Sequence, residues 1–223
     1  MIIHAYHESV PGMERAEMLG LWAQSWRAHG WIPVVHGLEE ARAHPRFAVY
    51  DRVIRELPTV NSPAYEAACW RRWLVAAQTG GFWCDTDLIN TGINPAPELG
   101  WFNAAFHAIH DGEFPNMGLL CGRGDAFELR FVNQVLRGSV PLTEHNGRPH
   151  TSDMFVWRKL HQAGEVGASR DVMATWGQPG AQHAQLIHCS YDATTGRGQD
   201  RLAVIRGLVE PNSPSSATRR PNA

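Results

Sequence analysis

The sequence predicts an α/β domain with a mixed sheet, and three observations carry that expectation. The chain has 223 residues, 43% of them hydrophobic and 19% charged, which is enough for one sizeable core and too apolar for a disordered chain. Strand-like and helix-like patterns alternate through its first third. Beyond that, the segments become shorter and more irregular, which argues against a uniformly parallel sheet.

Met1-Ile2-Ile3-His4-Ala5-Tyr6 reads as the first strand, and Pro11-Gly12 breaks it. Over 13–29, Met18, Leu19, Trp22 and Trp26 recur at helical spacing, and Gly30 stops the helix. Trp31-Ile32-Pro33-Val34-Val35 is a second strand, and 38–57 mixes helix and loop. Ser62 suits an N-cap and Pro63 the first helical position, so a helix runs over 63–78 until Gly80-Gly81 ends it. Phe82-Trp83-Cys84 is a third strand, and it delivers Asp85 and Asp87. Trp101–Ile109 and Gly118–Cys121 are strand-like. Phe127, Phe131, Val132, Val135 and Leu136 mark a helix over 125–137. A polar loop over 138–150 leads to a helix over 152–163, and Leu186-Ile187-His188-Cys189 is a late strand. The domain is expected to span 1–210. The Ser- and Pro-rich stretch 211–223 is expected to be disordered.

Bulk charge narrows the partners. Twenty basic and 22 acidic side chains give a net charge of −2, which argues against binding nucleic acid mainly through phosphates. Cys69, Cys84, Cys121 and Cys189 form no C-x-x-C pair and sit among apolar residues, so buried free thiols are expected. The opening MIIHAYHESV lacks a basic leader before an apolar stretch, and no window approaches the roughly 18 apolar residues of a membrane helix. A cytoplasmic setting is the expectation.

The chemistry concentrates in Cys84-Asp85-Thr86-Asp87-Leu88. Side chains two apart on a strand share a face, so Asp85 and Asp87 can converge at its end. Two adjacent carboxylates repel unless a cation sits between them or one takes a proton. Carboxylate oxygens suit a hard divalent ion, and such an ion can take phosphate oxygens. The bland alternative is a polar turn after a strand, since Asp and Thr form turns readily.

The stretch from Arg72 through Thr79-Gly80-Gly81-Phe82-Trp83-Cys84-Asp85-Thr86-Asp87 resembles the sugar-binding region of D-x-D glycosyltransferases, whose pattern is R-x-x-x-L-x-x-x-GG-x-Y-x-D-x-D. Ile2-Ile3-His4-Ala5-Tyr6-His7 looks like that family's opening strand, whose end meets the nucleotide base. Trp22, Ser25 and Trp26 resemble its S-W helix. Asn116-Met117-Gly118 looks like a segment near the donor sugar. Ser152-Asp153-Met154 stands where relatives carry an acidic residue facing the sugar, and Leu186-Ile187-His188 resembles a late strand ending in a histidine. The resemblance spans about residues 1–190, with its specific part over 72–88. Ala68 and Cys69 stand where the family has Ser-Asp, which leaves the nucleotide open.

The resemblance implies a single Rossmann-like glycosyltransferase type A domain whose central mixed, mostly parallel sheet is flanked by helices. It implies Mn2+ or Mg2+ held by Asp85, Asp87 and His188. Tyr6, His7, Arg72, Asp85 and Asn116 would bind a nucleoside diphosphate sugar, with UDP as the commonest base. Arg72 and Asp153 would act in catalysis, with Arg197 as a possible aid, and the anomeric configuration would be retained. Each residue has a plainer reading. Arg72 can pair on the surface, His188 can be a core histidine, Asp153 can cap its helix, and Tyr6 and His7 can simply end a strand. His145, Arg148 and His150 lie in the polar loop, where a solvated loop competes with a second metal site. The acceptor is unspecified: a glycan, lipid-linked sugar, protein, small molecule or modified DNA base. A non-catalytic sugar-nucleotide binder is the alternative. A D-x-D phosphohydrolase fits poorly, because Ile89 stands where Thr or Val belongs and Lys159 has no matching context.

Overall fold

The computed structural model describes residues 1–9, 16–95, 106–109, 118–165, 167–169 and 172–210. Strand β1 (Ile2–Tyr6) is followed by α1 (Ala16–Ala28), β2 (Ile32–His36), α2 (Leu38–Arg42), α3 (Phe47–Glu56), α4 (Pro63–Thr79) and β3 (Gly81–Cys84). β1 pairs in parallel with β2 on one side and β3 on the other. Parallel neighbours put the ends of β1 and β3 on the same side of the sheet, so Tyr6 and Cys84 open onto a common rim. β2 is the edge strand, where the missing N–H of Pro33 is tolerated.

β4 (Leu88–Asn90), β5 (Phe106–Ile109) and β6 (Leu119–Gly122) follow. β6 runs antiparallel to both β3 and β5, while β9 (Gly167–Ser169) joins β5 in parallel. The main sheet has the order β2-β1-β3-β6-β5-β9. Three of its five pairings are parallel, so the expected mixed, mostly parallel α/β sheet is what the chain forms.

Both faces of this sheet are covered, as alternation along β3 and β6 requires. Phe82, Cys84, Leu119 and Cys121 join Ile3, Ala5, Trp22, Trp26 and Trp31 on one face. Trp83 and Leu120 point the other way, into a larger core with Trp70, Trp73, Leu74, Phe127, Phe131 and Trp157. Seven tryptophans (22, 26, 31, 70, 73, 83 and 157) are buried. All four cysteines are free thiols, and all but Cys69 are fully buried. Among the described residues, no helix is long and apolar enough to cross a membrane.

Several expectations need refinement. Residues 38–57 hold two helices. The helix expected over 125–137 is α5 (Gly124–Phe127) continuing through a π-helical segment (Glu128–Val132) into α6 (Asn133–Leu136). The expected polar loop contains a hairpin, β7 (Thr143–His145) with β8 (Arg148–His150), turning on Asn146 and Gly147, both at positive φ. Beyond it lie α7 (Asp153–Gln162), β10 (Met173–Thr175), β11 (Leu186–His188) and α8 (Arg201–Val209). β10, β11 and β4 form a second, three-stranded sheet. The proposed disorder of 211–223 and most of the strand at 101–109 lie outside the described residues.

Gly80 and Gly81 sit at φ of 60° and 84°, which side chains avoid, so the double glycine is what lets α4 stop and β3 begin at once. Gly124 is constrained differently: a Cβ there would collide with the backbone carbonyl of Ala77 on α4. Gly124→Ala is expected to cost about 1–3 kcal/mol, because the clash is with backbone that cannot swing aside. A urea midpoint shifted downward with an unchanged m-value would check this.

Candidate active site

The two aspartates converge through a turn. β3 ends at Cys84, the Leu88 N–H donates to the Asp85 carbonyl at 3.1 Å, and β4 departs at once into the second sheet. Asp85-Thr86-Asp87 is therefore the hinge between two sheets, and the polar turn weighed against a charged site is itself the site's scaffold. Register does the next step. β11 pairs antiparallel with β4, His188 opposite Leu88, and the Cys189 N–H donates to the Asp87 carbonyl at 2.9 Å. This places the His188 imidazole 3.6 Å from the Asp87 carboxylate.

α4 supplies one wall. Tyr65, Cys69 and Arg72 recur at helical spacing and line the cleft, while Trp70, Trp73 and Leu74 face the core. Arg72 contacts the Asp85 carboxylate and donates to Asp153 through Nε and Nη2, at 3.1 and 2.6 Å. Asp153 is almost wholly buried and also accepts from Trp73 Nε1 at 3.0 Å. The helix cap is Ser152, whose hydroxyl accepts from the Met154 N–H, so Asp153 is free of that duty. Arg72 likewise is no surface arginine.

Arg201 was not expected here. From the first position of α8, its Nε donates to the Cys189 carbonyl at 2.6 Å and its Nη2 contacts the Asp87 carboxylate. A sequence signal existed. Asp200 precedes an apolar helical run and caps α8 by accepting from the N–H groups of Leu202 and Ala203. Arg197, the arginine expected to assist, instead donates to the Gly177 carbonyl at 3.4 Å.

Tyr6 and His7 do reach the rim. The Tyr6 hydroxyl donates to Glu8 at 2.5 Å, and Glu8 is held by Arg71, which also pairs with Asp51. Tyr6, His7, Tyr65, Arg72, Asp85 and Asp87 line a small cavity of about 120 Å³. It shares Arg72 and both aspartates with a larger one of about 590 Å³, which Asp153, His188 and Arg201 also line. Asn116 lies outside the described residues. His145 and His150 belong to the hairpin, apart from these cavities; His150 packs beside Phe155.

Environment separates the two aspartates. Burial, opposed by Arg72 and reinforced by the neighbouring Asp87, raises the Asp85 carboxyl. Asp87 is lowered to about 2: burial works against its charge, and His188 and Arg201 outweigh burial. Among the described residues, no group of three or more His, Cys, Asp and Glu side chains stands ready-made to hold a metal ion.

No family model matches the chain. No curated protein matches it. Among solved structures, it is similar to a glycosyltransferase involved in the glycosylation of the major capsid of PBCV-1, with 13% identity and a TM-score of 0.48 over 93% of this chain and 98% of that one. A likeness that distant carries no functional argument, and the site's geometry must carry its own.

The buried pair gives a direct test. Arg72→Met strands the Asp153 carboxylate in the core and is expected to cost about 3–5 kcal/mol. Adding Asp153→Leu should recover part of that loss. A double-mutant cycle on chemical denaturation reads the coupling, and additive losses would show that the pair is not a unit.

Proposed function

We propose that the protein is a glycosyltransferase that moves a sugar from a nucleoside diphosphate sugar to an acceptor hydroxyl, aided by a divalent cation. The observation that carries this reading is the meeting of Asp85, Asp87, His188, Arg72, Arg201 and Asp153 in one cleft at the carboxyl ends of parallel strands, where α/β sheets place their ligands.

The donor set fits a hard cation in its chemistry: two carboxylates and an imidazole, with Asp87 fully ionised at neutral pH. The charge of the cleft supports the same conclusion. Even with Glu66 uncharged, Asp85, Asp87, Asp153 and Asp192 outnumber Arg72 and Arg201 among the described residues that line it. A diphosphate entering a net-acidic cleft needs further positive charge beside it. Asp85, Asp87 and His188 would hold that ion, which when bound would offset negative charge developing on the leaving diphosphate.

The chain's own groups do the rest. Arg201 presents a planar guanidinium that can turn part of its donor set from a carboxylate to a phosphate, while Arg72 keeps two donors on Asp153 and can offer a phosphate the edge that faces Asp85. The small cavity beside Tyr6 and His7 would receive the base end of the donor; uridine is the commonest occupant by the family resemblance. Asp153 has one oxygen committed to three N–H donors, which makes it a poor nucleophile and a fixed negative charge. Such a charge steadies positive character at the anomeric carbon as the bond to the diphosphate breaks.

The purified chain incubated with a panel of UDP- and GDP-sugars is expected to release nucleoside diphosphate from one donor, in the presence of Mn2+ and not after chelation. Asp85→Asn should lower that release at least about a hundredfold, in line with losing an electrostatic group at a transferring phosphate, with the melting temperature retained. Full activity in Asp85→Asn, or no donor bound in calorimetry, would sink the reading.

A further inference from the structure

Glu66 is a buried carboxyl of the cleft that the mechanism above leaves without a task. It lies on α4, 4% exposed, and it alone lines both the large cleft and a separate cavity of about 480 Å³ on the far side of α4. Its Oε2 accepts from the Asn61 amide at 2.9 Å, just before α4 begins. Its Oε1 is buried without a well-formed hydrogen bond, with the Ser152 hydroxyl across from it. A buried carboxylate oxygen left unpaired is costly, whereas a protonated carboxyl carries no charge to compensate.

We propose that Glu66 is a positioning residue, a neutral carboxyl strut between the starts of α4 and α7 that keeps a third negative charge away from Asp153 and Arg72. This rests on the glycosyltransferase reading for its consequence, not for its chemistry. The groups that face Glu66 are Arg72 and Cys69 on its own helix and Ser152 and Asp153 across from it. Burial, and then the charge of Asp153, push the Glu66 carboxyl up to about 7. Above that pH an ionised Glu66 draws on Arg72, weakening its hold on Asp153 and on any phosphate.

The sign of the effect on stability follows. The carboxyl ionises near 4.5 in the unfolded chain and near 7 in the folded one. The folded state binds the extra proton between those values, so stability falls as pH rises through that window. Melting temperatures of wild type and Glu66→Gln across pH 4.5–8 are expected to diverge in favour of Gln up to about pH 7 and then run parallel. A constant difference would overturn the proposal. Calorimetry with the sugar nucleotide and Mn2+ tests the consequence. Wild-type affinity should drop about tenfold more than that of Glu66→Gln between pH 6 and 8.5, the size of one added charge at short range. Glu66→Leu should bind weakly at both pH values. Identical pH profiles in wild type and Glu66→Gln would also overturn it. If wild type binds no sugar nucleotide at either pH, the glycosyltransferase reading falls, and the melting series alone decides whether Glu66 is the neutral strut.

Discussion

The site depends on one buried guanidinium. Arg72 leaves α4 between two carboxylates that the chain brings from distant places, Asp85 at the hinge between the sheets and Asp153 at the start of α7. Asp153 would not be tolerable alone at its depth, and Arg72 needs it there, while the more exposed Asp85 adds a second partner. The three ionic groups therefore fix one another, and with them the relative placement of α4, the β3–β4 turn and α7. A lysine could not take this role. It would present one point charge, while the guanidinium fork donates two bonds to Asp153 and still reaches Asp85.

The D-x-D pair is asymmetric for the same reason. Asp85 shares its counter-ion with Asp153, and its carboxyl is raised. Asp87 contacts Arg201 and lies nearest His188, and its carboxyl is lowered. Two chemically identical side chains one residue apart thus differ in proton affinity because the turn points them at different partners. Pairs pushed apart in this way mark sites where charge is being managed, although structural ion-pair networks do the same. The cleft around them holds more carboxyls than guanidiniums among the described residues, an excess that the proposed cation would offset.

What was legible in the sequence were the features with local, short-range causes. Pro63 and Gly80-Gly81 bracket α4, because one residue fixes φ and the others supply a positive φ. Arg72 could be placed on the helix entering the double glycine by spacing alone. His188 could be matched to a strand end. The misses arise from non-local causes. A turn at Asp85-Thr86-Asp87 could be weighed from its residue types, but not that β4 follows it into another sheet. Arg201 sits 114 positions from the aspartate it pairs with, a contact no periodicity encodes. The hairpin at 143–150 is a different matter, since Asn146-Gly147 is a turn signal that a reading focused on polarity passes over.

The two arginines are anchored very differently, and this divides the site. Arg72 stands on a 17-residue helix packed into the larger core, with the Trp73 ring beneath its guanidinium, 5.0 Å from ring centroid to Cζ. Arg201 stands on a nine-residue helix whose buried Ile205 inserts among Met18, Leu21, Ile89 and Ile187, with Leu202, Val204, Leu208 and Val209 partly buried against the same cluster. A surface pair, Arg206 with Glu17, ties that helix to α1, and exposed pairs contribute little. Rearranging the Arg72 side means disturbing its buried pairing with Asp153 and the core beneath it. Rearranging the Arg201 side means shifting a short helix over a smaller apolar cluster and breaking its contacts with Asp87 and the Cys189 carbonyl. The energetic cost falls on the first, so the proposed cation and diphosphate would meet a fixed wall at Asp85 and an adjustable one at Asp87.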